Sequence, residues 1–197
     1  MQKIVDLLLF ILKPVQILMQ KFGRKEPKMN REAVDMAVSL IQPGDILLSY
    51  ESQRFTSFFI KGKYKHAAIL APNNRVIEAV GDDFKKVNGK KINFGGVRSI
   101  DLEEWLFDKD KVAIVRPDLL PKECRVLAGA NAISYIGRGY DYSFRIDKSK
   151  IYCSELIYLC YRTETDAFHD LRFKKILPEV YRDMAENEEL KLVFEFQ

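Results

Sequence analysis

Apolar residues gather in this chain in two kinds of run, short compact ones and longer ones spaced at helical period. Residues 45–50 (DILLSY) and 111–116 (KVAIVR) form compact apolar runs that predict strands. Residues 65–71 (KHAAILA) and 75–80 (RVIEAV) flank Pro72-Asn73-Asn74, which predicts a β-hairpin closed by a two-residue turn at Asn73-Asn74. Residues 190–196 read as a last strand. Among the helices, Asn30 is placed to cap one whose Val34, Ala37, Val38 and Ile41 recur at helical spacing, with Pro43-Gly44-Asp45 ending it. Residues 101–107 (DLEEWLF) predict a short capped helix. Pro121 opens another, on which Leu127, Ala130, Ile133 and Ile136 form a stripe running to Gly137. A glycine-rich aromatic loop, GRGYDYSF, then leads into residues 151–161 (IYCSELIYLCY), helical by apolar content, and a final helix is predicted near residues 178–185. Gly95-Gly96 breaks the chain in between. Strands with segregated helices give an α+β fold class with an antiparallel sheet.

The first residues differ in texture. Residues 4–22 (IVDLLLFILKPVQILMQKF) are apolar on nearly every helical face, so such a helix must be buried in protein or in lipid. Asp6, Lys13 and Pro14 interrupt the stretch and argue against a membrane span, which needs about 20 apolar residues. A cleavable signal is disfavoured too, since Asp6 lies inside the apolar run and no small-x-small site follows. A buried or dimer-forming helix and a membrane-surface helix are the readings that remain. The expected organisation is a hydrophobic helical arm and linker over 1–40 and a body over 41–197. A cytoplasmic or peripherally membrane-associated location follows.

Composition narrows the class. With 47% hydrophobic and 30% charged residues among 197, the chain is a globular domain with an appended arm; collagen-like, disordered and multi-span membrane classes are excluded. A net charge of +4 is too small and dispersed to argue for nucleic acid, though it suits anionic lipid.

The three cysteines, Cys124, Cys153 and Cys160, form no C-x-x-C pair, and an odd count favours a reduced compartment. His66 and His169, the two histidines, lie outside ligand spacing of any cysteine pair, so no metal is expected. Cys153 follows a polar loop at the start of a helix. There the free N–H groups and the helix dipole favour an anion and lower a thiol pKa. Cys160, two turns deeper, reads as core, and Cys124 as core or surface.

A thiolate enzyme needs a base, and the base needs an orienting acceptor. His66 opens an apolar strand and is the better base; His169 sits in a polar segment. The orienter is Glu78 on the partner strand, with Asp82 and Asp83 as substitutes. A two-residue turn pairs Ile69 with Glu78 and leaves His66 and Glu78 on opposite faces; an odd loop or a bulge brings them together.

In order, PGDILL, KHAAIL, VIEAV, GYDYSF and YCSELIY resemble the circularly permuted branch of the NlpC-type papain-like cysteine hydrolases. This is the YiiX/YebB-like group, related to lecithin:retinol acyltransferase-like proteins. The resemblance covers residues 41–197. Its histidine precedes its cysteine, the reverse of ordinary papain-like enzymes. It implies a papain-like domain in which a Cys-bearing helix packs on an antiparallel sheet carrying the His. The family's nucleophile maps onto Cys153, its base onto His66, its third polar residue onto Glu78, and its Tyr before the Cys onto Tyr152, a helper in the oxyanion hole. Asp45 and Glu155 match positions read as structural.

The function expected is therefore a cofactor-free, metal-free cysteine hydrolase or acyltransferase. It would act on an amide or ester through a thioester acyl-enzyme, on a lipid-like or acylated substrate, with cell-wall peptide amides as the other substrate class. The arm and Phe55, Phe58 and Phe59 suit an apolar site near a membrane. The rival reading is a non-catalytic membrane-associated scaffold that retains the fold. Expected partners are a small-molecule, acyl-lipid or peptide substrate, a membrane surface or a second copy at the arm, and no nucleic acid.

Overall fold

The computed structural model describes residues 28–50, 62–81, 83–88, 90–144, 149–162 and 176–197. The hydrophobic arm, Phe55, Phe58, Phe59, Asp82 and His169 lie outside the described residues. In chain order the elements are α1 (Arg31–Leu40), β1 (Ile46–Tyr50), β2 (His66–Ala71), β3 (Arg75–Val80), β4 (Phe84–Val87), β5 (Lys90–Asn93), β6 (Gly96–Asp101), α2 (Leu102–Phe107), β7 (Lys111–Arg116), α3 (Lys122–Ile133), α4 (Cys153–Tyr161), α5 (Pro178–Glu186) and β8 (Lys191–Phe196). Six strands form one antiparallel sheet in the order β6-β3-β2-β1-β7-β8, and β4 and β5 make a separate ribbon.

Alternation along the strands divides the core into two layers. On one face Ile46, Leu48, Ala67, Ile69, Ala113 and Val115 pack against α3, α4 and α5. On the other Leu47, Ala68, Leu70, Val112 and Ile114 pack against α1 and α2 through Val34, Ala37, Leu102, Trp105 and Leu106. The molecule is thus a helix–sheet–helix sandwich. The expected boundary at residue 40 falls at the end of α1, whose inner face belongs to the second layer.

Local chemistry explains the helix starts. The Asn30 side chain accepts from the Ala33 N–H at 2.9 Å, and Asp101 accepts from Glu103 N–H at 3.0 Å. The Pro43-Gly44-Asp45 turn is tied down by Asp45, fully buried, which accepts from Gln42 N–H at 2.8 Å and from Arg116 twice at 2.7 Å. Burial raises the Asp45 pKa against the pull of these donors. Its structural reading holds.

Three expectations change. The hairpin loop holds Pro72, Asn73 and Asn74, so Ala71 pairs with Arg75 and Ala68 with Glu78. The two-residue turn would have set Pro72 in the ladder opposite Arg75, and a proline there has no N–H to give. Asn73 and Asn74 instead take the left-handed region at φ 66° and 55°, which asparagine tolerates. Second, the α3 stripe faces outward: Leu127, Ile133 and Ile136 are 49%, 48% and 44% exposed, while Ala128, Gly129 and Ala132 line the buried side. Small residues face the sheet because the helix lies so close to it. A Cβ on Gly129 would sit 2.5 Å from the Leu70 carbonyl oxygen. Third, the stretch around Gly95-Gly96 contains β4, β5 and β6, none of which was expected. Asn88-Gly89 between two short runs is a strong hairpin signal that the sequence did carry.

Candidate active site

His66 is the first residue of β2, a central strand rather than an edge strand. Its position is special for another reason. β2 and β3 are paired from Ala71–Arg75 only as far as Ala68–Glu78, whereas β3 continues to pair with β6 through Ala79 and Val80. The central strands part at the level of His66. The start of α4 meets this parting, since a backbone hydrogen bond from Ala67 reaches Cys153. A histidine from one face of the sheet and a cysteine from the helix on the other face can therefore meet.

Cys153 is the first residue of α4, as its sequence context predicts, and is 1% exposed. Glu155, buried in the same turn, accepts from the Tyr152 N–H at 3.3 Å and squares the helix start. The Tyr181 hydroxyl donates to the Ser154 carbonyl at 2.8 Å, fixing that turn from α5. The Ser154 hydroxyl lies 3.7 Å from the Cys153 sulfur.

The three-residue loop puts Glu78 on the His66 face, and His66 Nε2 stands 2.8 Å from Glu78 Oε2. With Nε2 committed to the carboxylate, Nδ1 is the nitrogen left for the hydrogen bond with Cys153. Glu78 is 1% exposed and is held from two further sides. Trp105 Nε1 donates to Oε2 at 2.9 Å, and Arg98 Nε donates to Oε1 at 2.9 Å. Asp83, an alternative orienter by sequence, is instead engaged by Arg98 Nη1 at 2.7 Å.

The electrostatics of the pair are opposed. Burial disfavours the charged form of His66, but hydrogen bonds to Cys153 and Glu78 and their charge outweigh it, and the imidazole pKa rises above its usual value. Burial likewise pushes the Cys153 thiol up, yet the hydrogen bond and charge of His66, with help from Ser154 and the Ala67 backbone, bring it below the ordinary thiol value. Each group favours the charged form of the other, so the arrangement favours a thiolate–imidazolium pair. Cys160 lacks such a partner in its pKa balance, and burial alone drives it well up. Cys124 is half-buried on α3.

Tyr152, the residue before the helix, is buried, and its hydroxyl accepts from the Ile176 N–H at 3.2 Å while keeping its own proton to donate. The Phe144 ring meets it edge-on at 5.3 Å. Sequence reasoning missed Trp105, Arg98 and Ser154. Arg98 and Trp105 stand 20 and 27 positions from Glu78 in the chain and are brought to it by pairing and packing alone. Among the described residues no group of three or more His, Cys, Asp or Glu side chains is gathered as a metal ion requires.

Residues 40–187, well over half of the chain, match the family described as "Permuted papain-like amidase enzyme, YaeF/YiiX, C92 family". The chain belongs to this family. A permuted papain-like amidase is a cysteine hydrolase, and the six-stranded α+β sandwich is its permuted papain-like fold. Among solved structures, the crystal structure of metalloprotein yiiX from Escherichia coli O157:H7 is 26% identical, over 64% of this chain and 67% of that one, with a TM-score of 0.49. No curated protein matches.

Proposed function

We propose that this permuted papain-like amidase cleaves an amide or ester bond through a Cys153–His66–Glu78 triad and a thioester acyl-enzyme. The observation that carries the reading is the buried line from the Cys153 sulfur through His66 to Glu78, in which the thiol pKa is lowered and the imidazole pKa raised. The Cys153 thiolate attacks the carbonyl carbon, and the carbonyl oxygen takes up the negative charge. The Cys153 backbone N–H, free at the first turn of α4, donates to that oxyanion, and the Tyr152 hydroxyl is a second donor. His66 gives its proton to the leaving amine or alcohol as the carbon–nitrogen or carbon–oxygen bond breaks. Neutral His66 then takes a proton from water, hydroxide attacks the thioester, and the carboxylic acid departs as the thiolate re-forms. An amine or alcohol in place of water makes the same site an acyltransferase.

The substrate class proposed is a lipid-like or acylated amide or ester, with peptide amides as the competing class. Comparing turnover of N-acyl amides, acyl esters and cell-wall peptides separates them. The triad is tested by alkylation with iodoacetamide near neutral pH, followed residue by residue. Cys153 is expected to react ahead of Cys124 and Cys160, and Cys153→Ala to lower turnover by at least about a thousandfold. Equal reactivity of the three thiols with unchanged turnover in Cys153→Ala overturns the reading.

The apolar stretch at 4–22 supports a peripheral location at a membrane surface or a contact between two copies. Among the described residues no helix is long and apolar enough to cross a membrane. Flotation with anionic liposomes, with and without residues 1–28, tests the first; equal recovery of both forms sinks it and leaves the dimer to be read from the molar mass in solution.

A further inference from the structure

A buried stack of side chains continues the catalytic line on the far side of Glu78. Trp105, on α2, is fully buried and donates its indole N–H to Glu78 Oε2, the same oxygen that faces His66 Nε2. Over the indole ring, 4.7 Å from its centroid, stands the Lys109 ammonium, and Lys109 is only 2% exposed. Neither residue touches Cys153 or His66 through any bond described above. Their route to the pair runs through the carboxylate.

The chemistry of Glu78 says what they are for. A carboxylate can turn about its terminal torsion, which is broad and roughly two-fold, and each rotation changes the oxygen and lone pair offered to the imidazole. Arg98 on Oε1 fixes one end of the group. The indole N–H on Oε2 fixes the other and leaves one lone pair of that oxygen for His66. A cation over the face of an indole is attracted by the ring's negative face, draws electron density from it and makes its N–H a stronger donor. The ammonium is therefore placed to hold the ring plane and to strengthen the bond that holds Glu78.

We propose that Trp105, backed by Lys109, is a positioning residue of the amidase, holding the Glu78 carboxylate in the rotation that keeps His66 aligned with Cys153. This rests on the triad reading given above and extends it by one layer. The charged and titratable groups facing the pair from the surrounding elements are Glu78 on β3, Arg98 on β6 with Asp83 behind it, Lys109 beyond Trp105 with the Asp108 carboxylate 4.0 Å from its ammonium, and the Tyr152 and Tyr181 phenols on the helix side.

The pH profile of Cys153 alkylation by iodoacetamide, read by mass spectrometry on the full chain, tests it, because the rate follows the thiolate fraction. Glu78→Gln is expected to move the profile to higher pH. Trp105→Phe should move it in the same direction, with the rate at about pH 6 falling about three- to tenfold and the alkaline plateau retained. In the Glu78→Gln background Trp105→Phe should add nothing, because its route to the pair is gone. Lys109→Met, which leaves the indole in place, should give a smaller displacement with the same sign, and it decides the matter if Trp105→Phe fails to fold. Wild-type profiles for Trp105→Phe and Lys109→Met beside a displaced Glu78→Gln overturn this inference alone. A displacement that persists in the Glu78→Gln background also overturns it, since Trp105 then acts as packing. An unchanged Glu78→Gln profile overturns the orienting role of Glu78 itself.

Discussion

A carboxylate with 1% exposure keeps its charge only where donors surround it, and Glu78 meets His66, Trp105 and Arg98 at 2.8 to 2.9 Å. Hydrogen bonds to Cys153 and to Glu78, with the charge of both, are what lift the imidazole. The sign of the pH dependence follows. The thiol is deprotonated above a pKa that lies below its ordinary value, and the imidazole stays protonated up to a pKa above its ordinary value. Turnover should therefore be bell-shaped in pH, with an acid limb set by Cys153 and an alkaline limb set by His66. Replacing Glu78 by Gln removes a stabiliser of the imidazolium, so the alkaline limb should move to lower pH. The weaker imidazolium in turn lets the acid limb rise. The bell narrows from both sides, and kcat/KM at its maximum should fall about ten- to a hundredfold. A Glu78→Gln profile with the wild-type width would show that Glu78 does not tune the pair.

At the scale of elements, the site depends on where one strand stops pairing. Shifting the β2–β3 register by one residue would send Glu78 to the opposite layer of the sandwich from His66, because successive side chains alternate faces. The odd loop at Pro72–Asn74 sets that register, and the close approach of α3 to β2 braces it. Gly129 is the contact point. A methyl group there would meet the Leu70 carbonyl at 2.5 Å, against backbone on both sides that cannot swing away as a side chain can. Gly129→Ala should cost about 1–3 kcal/mol of stability, seen as a lower denaturant midpoint. A midpoint unchanged within error would mean that α3 can retreat from the sheet. The outward stripe of Leu127 and Ile133, continued past the helix end by Ile136, belongs to the same geometry: Ala128, Gly129 and Ala132 turn inward, and the large apolar residues of the stripe are left outside.

At the scale of the whole molecule, a polar cluster joins the C-terminal strand to the approach to His66. Glu195 on β8 accepts from the Tyr64 hydroxyl at 2.6 Å, from Lys63 at 3.1 Å and from Arg182 of α5 at 3.3 Å. Partial burial works against its charge, but the hydrogen bonds from Tyr64, Gln197 and Lys63, with the charge of Lys63, hold its pKa down to about 2. A carboxylate whose folded pKa lies below its unfolded value stabilises the fold above the unfolded pKa and loses that contribution as pH falls. Stability should decline between the ordinary value of about 4.5 and about 2, and Glu195→Gln should flatten that part of the curve of denaturant midpoint against pH. An identical decline in the variant would assign the acid loss to other carboxylates.

Much of the body was legible in the chain because local rules write it there. Apolar runs set off by turn residues marked β1, β2, β3, β7 and β8, and caps such as Asn30 and Asp101 marked helix starts. Cys153 was legible as the nucleophile candidate because a helix start is a local feature. His66 followed as the better-placed of two histidines, and family resemblance gave the order of the parts. The β4–β5 ribbon went unread although Asn88-Gly89 announced it, and the α3 stripe misled because helical period identifies a face without saying which side the sheet lies on. The amino-acid order by itself determined the element types outside the β4–β6 stretch, the three unpaired thiols and the candidate pair. Tertiary structure alone decided that Glu78 rather than Asp83 meets His66, and that Arg98 and Trp105 close around it. The reason is physical: strand register and the parting of β2 from β3 depend on one residue more or less in a loop and on packing between residues far apart in the chain.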